Sequence, residues 1–144
     1  VDPVSFLGLV AAIITIADAI EKRLGKTPEP NELASAYMAE IDAGRRVPMP
    51  GVTQEDITRI AEQYISIKNF NGPFIDRIKR YCIQTYQDAI DNNPNDRELD
   101  DAYRHAQQCV CRNIGMARRH LSPGGTGWDD FSEWFDQFNC LDRI

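Results

Sequence analysis

The residues best equipped for chemistry are four cysteines, Cys82, Cys109, Cys111 and Cys140, and two histidines, His105 and His120. One residue separates Cys109 from Cys111. On a helix that spacing turns their sulfurs about 200° apart, too far round to share a metal ion or to bond each other. With Val110 facing the core, the pair flanks the buried stripe on opposite sides, and each can reach a different neighbour. In an oxidising compartment Cys109 and Cys111 are therefore expected to bridge to Cys82 and Cys140, in one order or the other. The sequence leaves the order open.

Asp101, His105 and Cys109 lie one helical turn apart, with Glu98 a further turn back, a spacing that metal ligands can use. The stripe falls mostly on the outward side and lacks the paired-ligand motif of a strong zinc site, so a solvated polar face is expected and no metal is assigned. Neither histidine has an adjacent motif that would make it a general base. Gly124-Gly125 follows a helix and not a strand, without the lysine of a phosphate loop, and no nucleophile elbow is present. No catalytic residue and no cofactor is assigned, and an enzyme is the minority reading.

Composition narrows the remaining classes. The 144 residues are 42% hydrophobic and 26% charged, with a net charge of −6. That mixture suits one acidic, globular domain spanning 1–144, alone or as a module of a longer protein. Nucleic acid is not an expected partner, because a general binder needs a basic surface to displace counterions from phosphates. An apolar run begins at Val4, but Asp2 precedes it and no basic residue does, unlike a secretory leader. Four cysteines in a chain of this length do not make a disulfide-dense miniature scaffold, and the compartment stays open, the cytoplasm slightly favoured.

The elements that must position these residues are helices. Asp2 and Pro3 begin a first helix that runs to Leu24 and stops at Gly25. Asn31 caps a second, with Leu33, Ala36, Tyr37 and Ile41 inward, ending near Gly44. Residues 45–52 hold Pro48, Pro50 and Gly51 and read as the longest irregular connection. Thr53 and Asp56 resemble a capping box ahead of Ile57, Ile60, Ala61, Tyr64 and Ile67. Asn71-Gly72-Pro73 starts a fourth helix with Phe74, Ile78, Tyr81, Cys82, Thr85 and Ala89 along one side. Asn95 and Glu98 cap a fifth, from Asp96 to about Leu121, with Leu99, Tyr103, Ala106, Val110, Ile114, Ala117 and Leu121 inward. A sixth spans about Trp128 to Leu141. No segment alternates as a strand does. The fold expected is all-α, an irregular bundle of about six helices.

The first helix is apolar nearly all round. Ser5, Gly8, Ala12, Thr15 and Ala19 form a face of small residues, which lets another helix approach closely. Phe6, Val10, Ile13, Ile14 and Ala17 form the bulky face. A central buried helix is the expected reading. The others are a self-association face and a membrane segment, for which an apolar run of about 17 residues is marginal against the roughly 20 needed. Asp2-Pro3-Val4-Ser5, Gly8-Leu9-Val10 and Ile16-Ala17-Asp18-Ala19-Ile20 resemble the opening helix of HeLo-like domains. The resemblance spans some 20 of the 144 residues. It implies a helical bundle that relays oligomerisation in cell-death signalling and can permeabilise membranes.

The last helix mixes acids with Phe131, Trp134, Phe135 and Phe138. As a detachable motif it would present Phe131, Trp134 and Phe138 to a partner groove. Large aromatics left in water would each forfeit on the order of 1.5–3 kcal/mol, so closure of the chain's own core is expected. The function expected is non-enzymatic: a protein-interaction or signalling module acting through a protein partner or self-association. The alternative is a secreted or periplasmic helical protein, stapled by disulfides and holding an apolar ligand.

Overall fold

The computed structural model describes residues 1–140. Among them are six helical runs and no strand, an all-α fold. They are α1 (Pro3–Leu24), α2 (Pro30–Asp42), α3 (Gln54–Phe70), a composite fourth run, α6 (Asp96–Arg118) and α7 (Trp128–Gln137). The composite run joins α4 (Gly72–Arg77), a π-helical turn (Ile78–Ile83) and α5 (Gln84–Asp91). Its backbone stays right-handed helical at Arg77 and Gln84, so nothing breaks it. The connection from Ala43 to Thr53 is the longest among the described residues.

The described chain falls into two compact units, Val1–Ser66 and the part from Ile67 onward. The boundary lies inside α3, a continuous helix with no proline or glycine at the junction to mark it.

In the first unit, α1 starts where the Asp2 carboxylate accepts from the Ser5 amide and hydroxyl, both at 2.9 Å. It stops at Gly25, whose φ of 73° lies in the left-handed region glycine tolerates. Eleven of its residues are buried, from Phe6 to Ile20. At 22 residues and mean hydropathy 2.1 over its most apolar window, α1 is long and apolar enough to cross a membrane, but 61% of that window is buried in the fold. It packs on α2, which buries Leu33, Ala34 and Tyr37. The second helix begins at Pro30, one residue before the expected cap at Asn31, because proline's fixed φ suits the first helical position. Arg46 folds back to Glu40 at 2.9 Å and lies over the Tyr37 ring. At the start of α3, the Thr53 hydroxyl accepts from the Asp56 amide and the Asp56 carboxylate accepts from the Thr53 amide. Behind that box, Ile57, Ile60, Ala61 and Tyr64 are buried.

In the second unit, α6 is the element on which α4, the π turn, α5 and α7 all pack. The Asn95–Glu98 capping box starts α6 with both reciprocal bonds made. Phe70, Phe74, Phe131, Trp134 and Phe138 form one aromatic cluster, in which Phe131 meets Phe70 at 5.3 Å and Phe74 at 4.7 Å. Trp134 meets Phe138 edge-on at 6.1 Å. α6 ends at Arg118, three residues short of the expected Leu121, and Arg118 is held over the rings of Trp128 and Phe135 at 4.7 and 4.6 Å. α7 ends at Gln137; Leu141, the expected end, lies outside the described residues.

Candidate functional site

An ideal α-helix turns about 100° per residue, so Phe74, Ile78, Cys82 and Tyr86, each four apart, should drift about 120° round the axis over their twelve-residue span. All four are nonetheless buried. The π turn explains it: its wider turn absorbs about one extra residue, which brings the fourfold spacing back into line. The same shift corrects the sequence reading of this helix. Tyr81 and Thr85, expected on the inward side, are turned out, and Tyr81 is 61% exposed. Ile83 and Tyr86 take the inward positions in their place. Leu99 is also displaced outward, at 39% exposure, and Gln107 is buried where a polar residue was not foreseen.

Beside Tyr81, between α5 and α6, lies a groove of about 410 Å³. Tyr81, Tyr86, Ala102 and Ala106 are among its walls, the cysteines Cys82 and Cys109 line it, and His105 and Arg112 stand at its α6 side. Burial raises the Tyr86 hydroxyl above its ordinary pKa of 10.0, so the phenol is neutral at physiological pH. The groove therefore offers aromatic rings, methyl groups and sulfur, with a guanidinium at its edge. Such a lining suits an apolar group, with Thr85, His105 and Arg112 able to meet a polar or anionic one beside it.

The sulfurs in it are bonded. Cys82 is joined to Cys109 and Cys111 to Cys140, with Cα–Cα distances of 5.5 and 5.4 Å. The order that the sequence left open is thus fixed by the fold: Cys109 faces the π turn and Cys111 faces the end of α7. Ordinary geometry accounts for it, since sulfurs on opposite flanks of Val110 meet elements on opposite sides of α6. Asn113, one turn after Cys109, sits against the first bridge. Its Nδ2 lies 3.8 Å from the Cys82 sulfur and 3.9 Å from the Cys109 sulfur, and donates to the Cys109 carbonyl at 2.8 Å. Its Oδ1 accepts from Arg77 Nε at 3.3 Å. Those contacts orient the amide so that its N–H side meets the sulfurs.

No protein-family model, curated protein or solved structure matches this chain. The site must be read from its own residues.

Phe131, Trp134 and Phe138, weighed from sequence as partner-binding aromatics, are each completely buried in the aromatic cluster, so this conformation offers none of them to a partner. The small-residue face of α1 is not continuous either. Ala12 is buried, Ser5 and Gly8 are partly covered, and Thr15 and Ala19 are exposed. What approaches Gly8 is the methyl end of Met49, from the proline-rich connection, and not a second helix backbone. The stripe of Glu98, Asp101, His105 and Cys109 is broken as a ligand set because the Cys109 sulfur is bonded to Cys82; among the described residues no group of three such side chains converges. Sequence reasoning turned Tyr81 inward and missed Asn113. A helical wheel drawn without a π turn hides the first, and nothing marks an asparagine on a helix as the neighbour of a disulfide.

Proposed function

We propose that this chain is a non-enzymatic binding module of an oxidising compartment, which receives an apolar side chain of a protein partner in the groove between α5 and α6. The observation that carries this reading is the pairing of all four cysteines in two bridges. A reducing cytosol keeps thiols apart, whereas secreted, periplasmic and surface proteins retain such bonds. The Cys82–Cys109 bridge fastens α6 to the π turn and so holds the two groove walls together, while Cys111–Cys140 ties α6 to the chain after α7. Binding to a pre-ordered surface loses less conformational entropy than binding to a mobile one. Tyr81 and Arg112 beside the groove are the residue types that most often dominate protein interfaces.

A second occupant is favoured by one dimension. A groove of about 410 Å³ also falls within the range that small apolar ligands use. Any coupling of binding to self-association rests on the resemblance of the opening helix and belongs to α1.

The test is site-specific photocrosslinking in the source cell. A benzophenone side chain at Thr85, within the groove, is compared with one at Glu62, exposed on α3. The proposal expects a defined protein adduct from position 85 alone, lost when Ala102→Trp, at a half-buried position of the groove, fills it. Native mass spectrometry with a retained small molecule displaced by A102W would favour the second occupant. Identical adducts from both positions, or adducts that survive A102W, would remove the groove as the binding site.

A further inference from the structure

The two disulfides differ in a way that the staple function does not require. Cys111 and Cys140 are both buried, at 1% and 0% exposure. Of the other bridge only Cys82 is fully buried; Cys109 is half-buried, and both cysteines line the α5–α6 groove. The groove bridge also carries a polar attendant, the Asn113 amide held by Arg77 and by the Cys109 carbonyl. It anchors the π turn, a wound-out geometry found often at functional sites.

We propose that Cys82–Cys109 is a thiol-exchange site, open at Cys109 to a low-molecular-weight thiol, and that Cys111–Cys140 is a permanent staple. The thiolate of the incoming thiol attacks the partly exposed Cys109 from the groove side. A new disulfide forms between the thiol and Cys109 as the Cys82–Cys109 bond breaks. The electron pair leaves on the Cys82 sulfur, where the Asn113 N–H side, 3.8 Å away, stabilises the developing charge. Burial disfavours a lasting thiolate there, so Cys82 then takes up a proton. The direction of attack follows from access, since the buried sulfur cannot be reached but can leave. Arg112, on the groove side of α6, favours an anionic thiol such as the tripeptide glutathione. Release of Cys82 removes the covalent tie between the π turn and α6, which stay packed together, and the exchange thereby relaxes the groove wall that contains Tyr81. The exchange rests on the placement of the sulfurs and does not depend on what the groove binds.

The experiment exposes the folded, oxidised protein to graded reduced glutathione, quenches with acid, alkylates the free thiols and maps the peptides by mass spectrometry. Circular dichroism follows the fold in parallel. The expected product has glutathione on Cys109, an alkylated Cys82 and an intact Cys111–Cys140 bond, with helicity retained. Asn113→Leu should slow adduct formation about tenfold, the order of one hydrogen bond to a charged group. A variant that merely loosened the structure would react faster. Opening of Cys111–Cys140 first or at the same rate, an adduct on Cys82, or reaction only after loss of helicity would each overturn the proposal.

Discussion

Gly8 and Gly127 both stand where a Cβ would meet a neighbour, yet they should answer substitution differently. At Gly8 the neighbour is the Met49 methyl, 2.7 Å from an added Cβ and at the free end of a flexible side chain. Gly8→Ala should therefore be close to neutral, with alanine's helix preference of roughly 1 kcal/mol offsetting the displacement of Met49. Gly8→Leu should destabilise by about 1–3 kcal/mol through overpacking, with the mass in solution unchanged. Thermal melts beside light scattering check both; a lower mass at an unchanged melting temperature would make that face an assembly surface. At Gly127 the neighbour is the Phe70 ring, 2.2 Å from an added Cβ, and φ is +82°. Neither the ring nor the backbone can yield without disturbing the aromatic cluster, so Gly127→Ala should cost about 2–4 kcal/mol in urea unfolding. This cost was not legible in the sequence. Ser122 to Gly127 reads there only as flexible punctuation, because nothing local places Phe70 against it.

At the scale of elements, the helix starts were the most legible part, because capping uses neighbours in sequence. Asp2, the Thr53–Asp56 box and the Asn95–Glu98 box each satisfy amides three residues on, and each stands where its residue types predict. The caps carry a pH signature. The Ser5 amide, with the Ser5 hydroxyl, holds Asp2 below the ordinary 3.8, and the Thr53 amide does the same for Asp56. A folded-state pKa below the unfolded one contributes stability that is complete above the unfolded value and lost as pH falls through the folded one. Melting temperature should therefore decline below about pH 4, and D2N with D56N together should flatten that decline. An equally steep acid limb in the double variant would place the sensitivity elsewhere. The phase of the fourth helical run was not legible, since a π turn depends on what α6 demands of the face it receives. Its consequence is measurable. Tyr81→Ala should change stability by less than about 0.5 kcal/mol, as exposed sites do. Phe74→Ala should cost about 3–5 kcal/mol. A large loss from Y81A would mean that the ring is buried, as an uninterrupted α-helix would have it.

At the scale of the molecule, the all-α class was readable because helical spacing recurs in every segment and strand alternation in none. The division at Ser66 was not, because α3 runs through it without a break in composition. The candidate site was half legible. The opposed directions of Cys109 and Cys111 exclude a bond between them, but the choice of partners belongs to the packing of α6 against the π turn and the end of α7. The account's central claim is a helical binding module of an oxidising compartment, its groove pre-organised by the Cys82–Cys109 bridge and its α6 stapled again by Cys111–Cys140. Peptide mapping of the protein taken from its source under non-reducing conditions tests it most directly. The account predicts Cys82 linked to Cys109 and Cys111 linked to Cys140, with no free thiol. Four free thiols would contradict the oxidising compartment, and a Cys109–Cys111 bond would contradict the continuous α6 on which the groove is built.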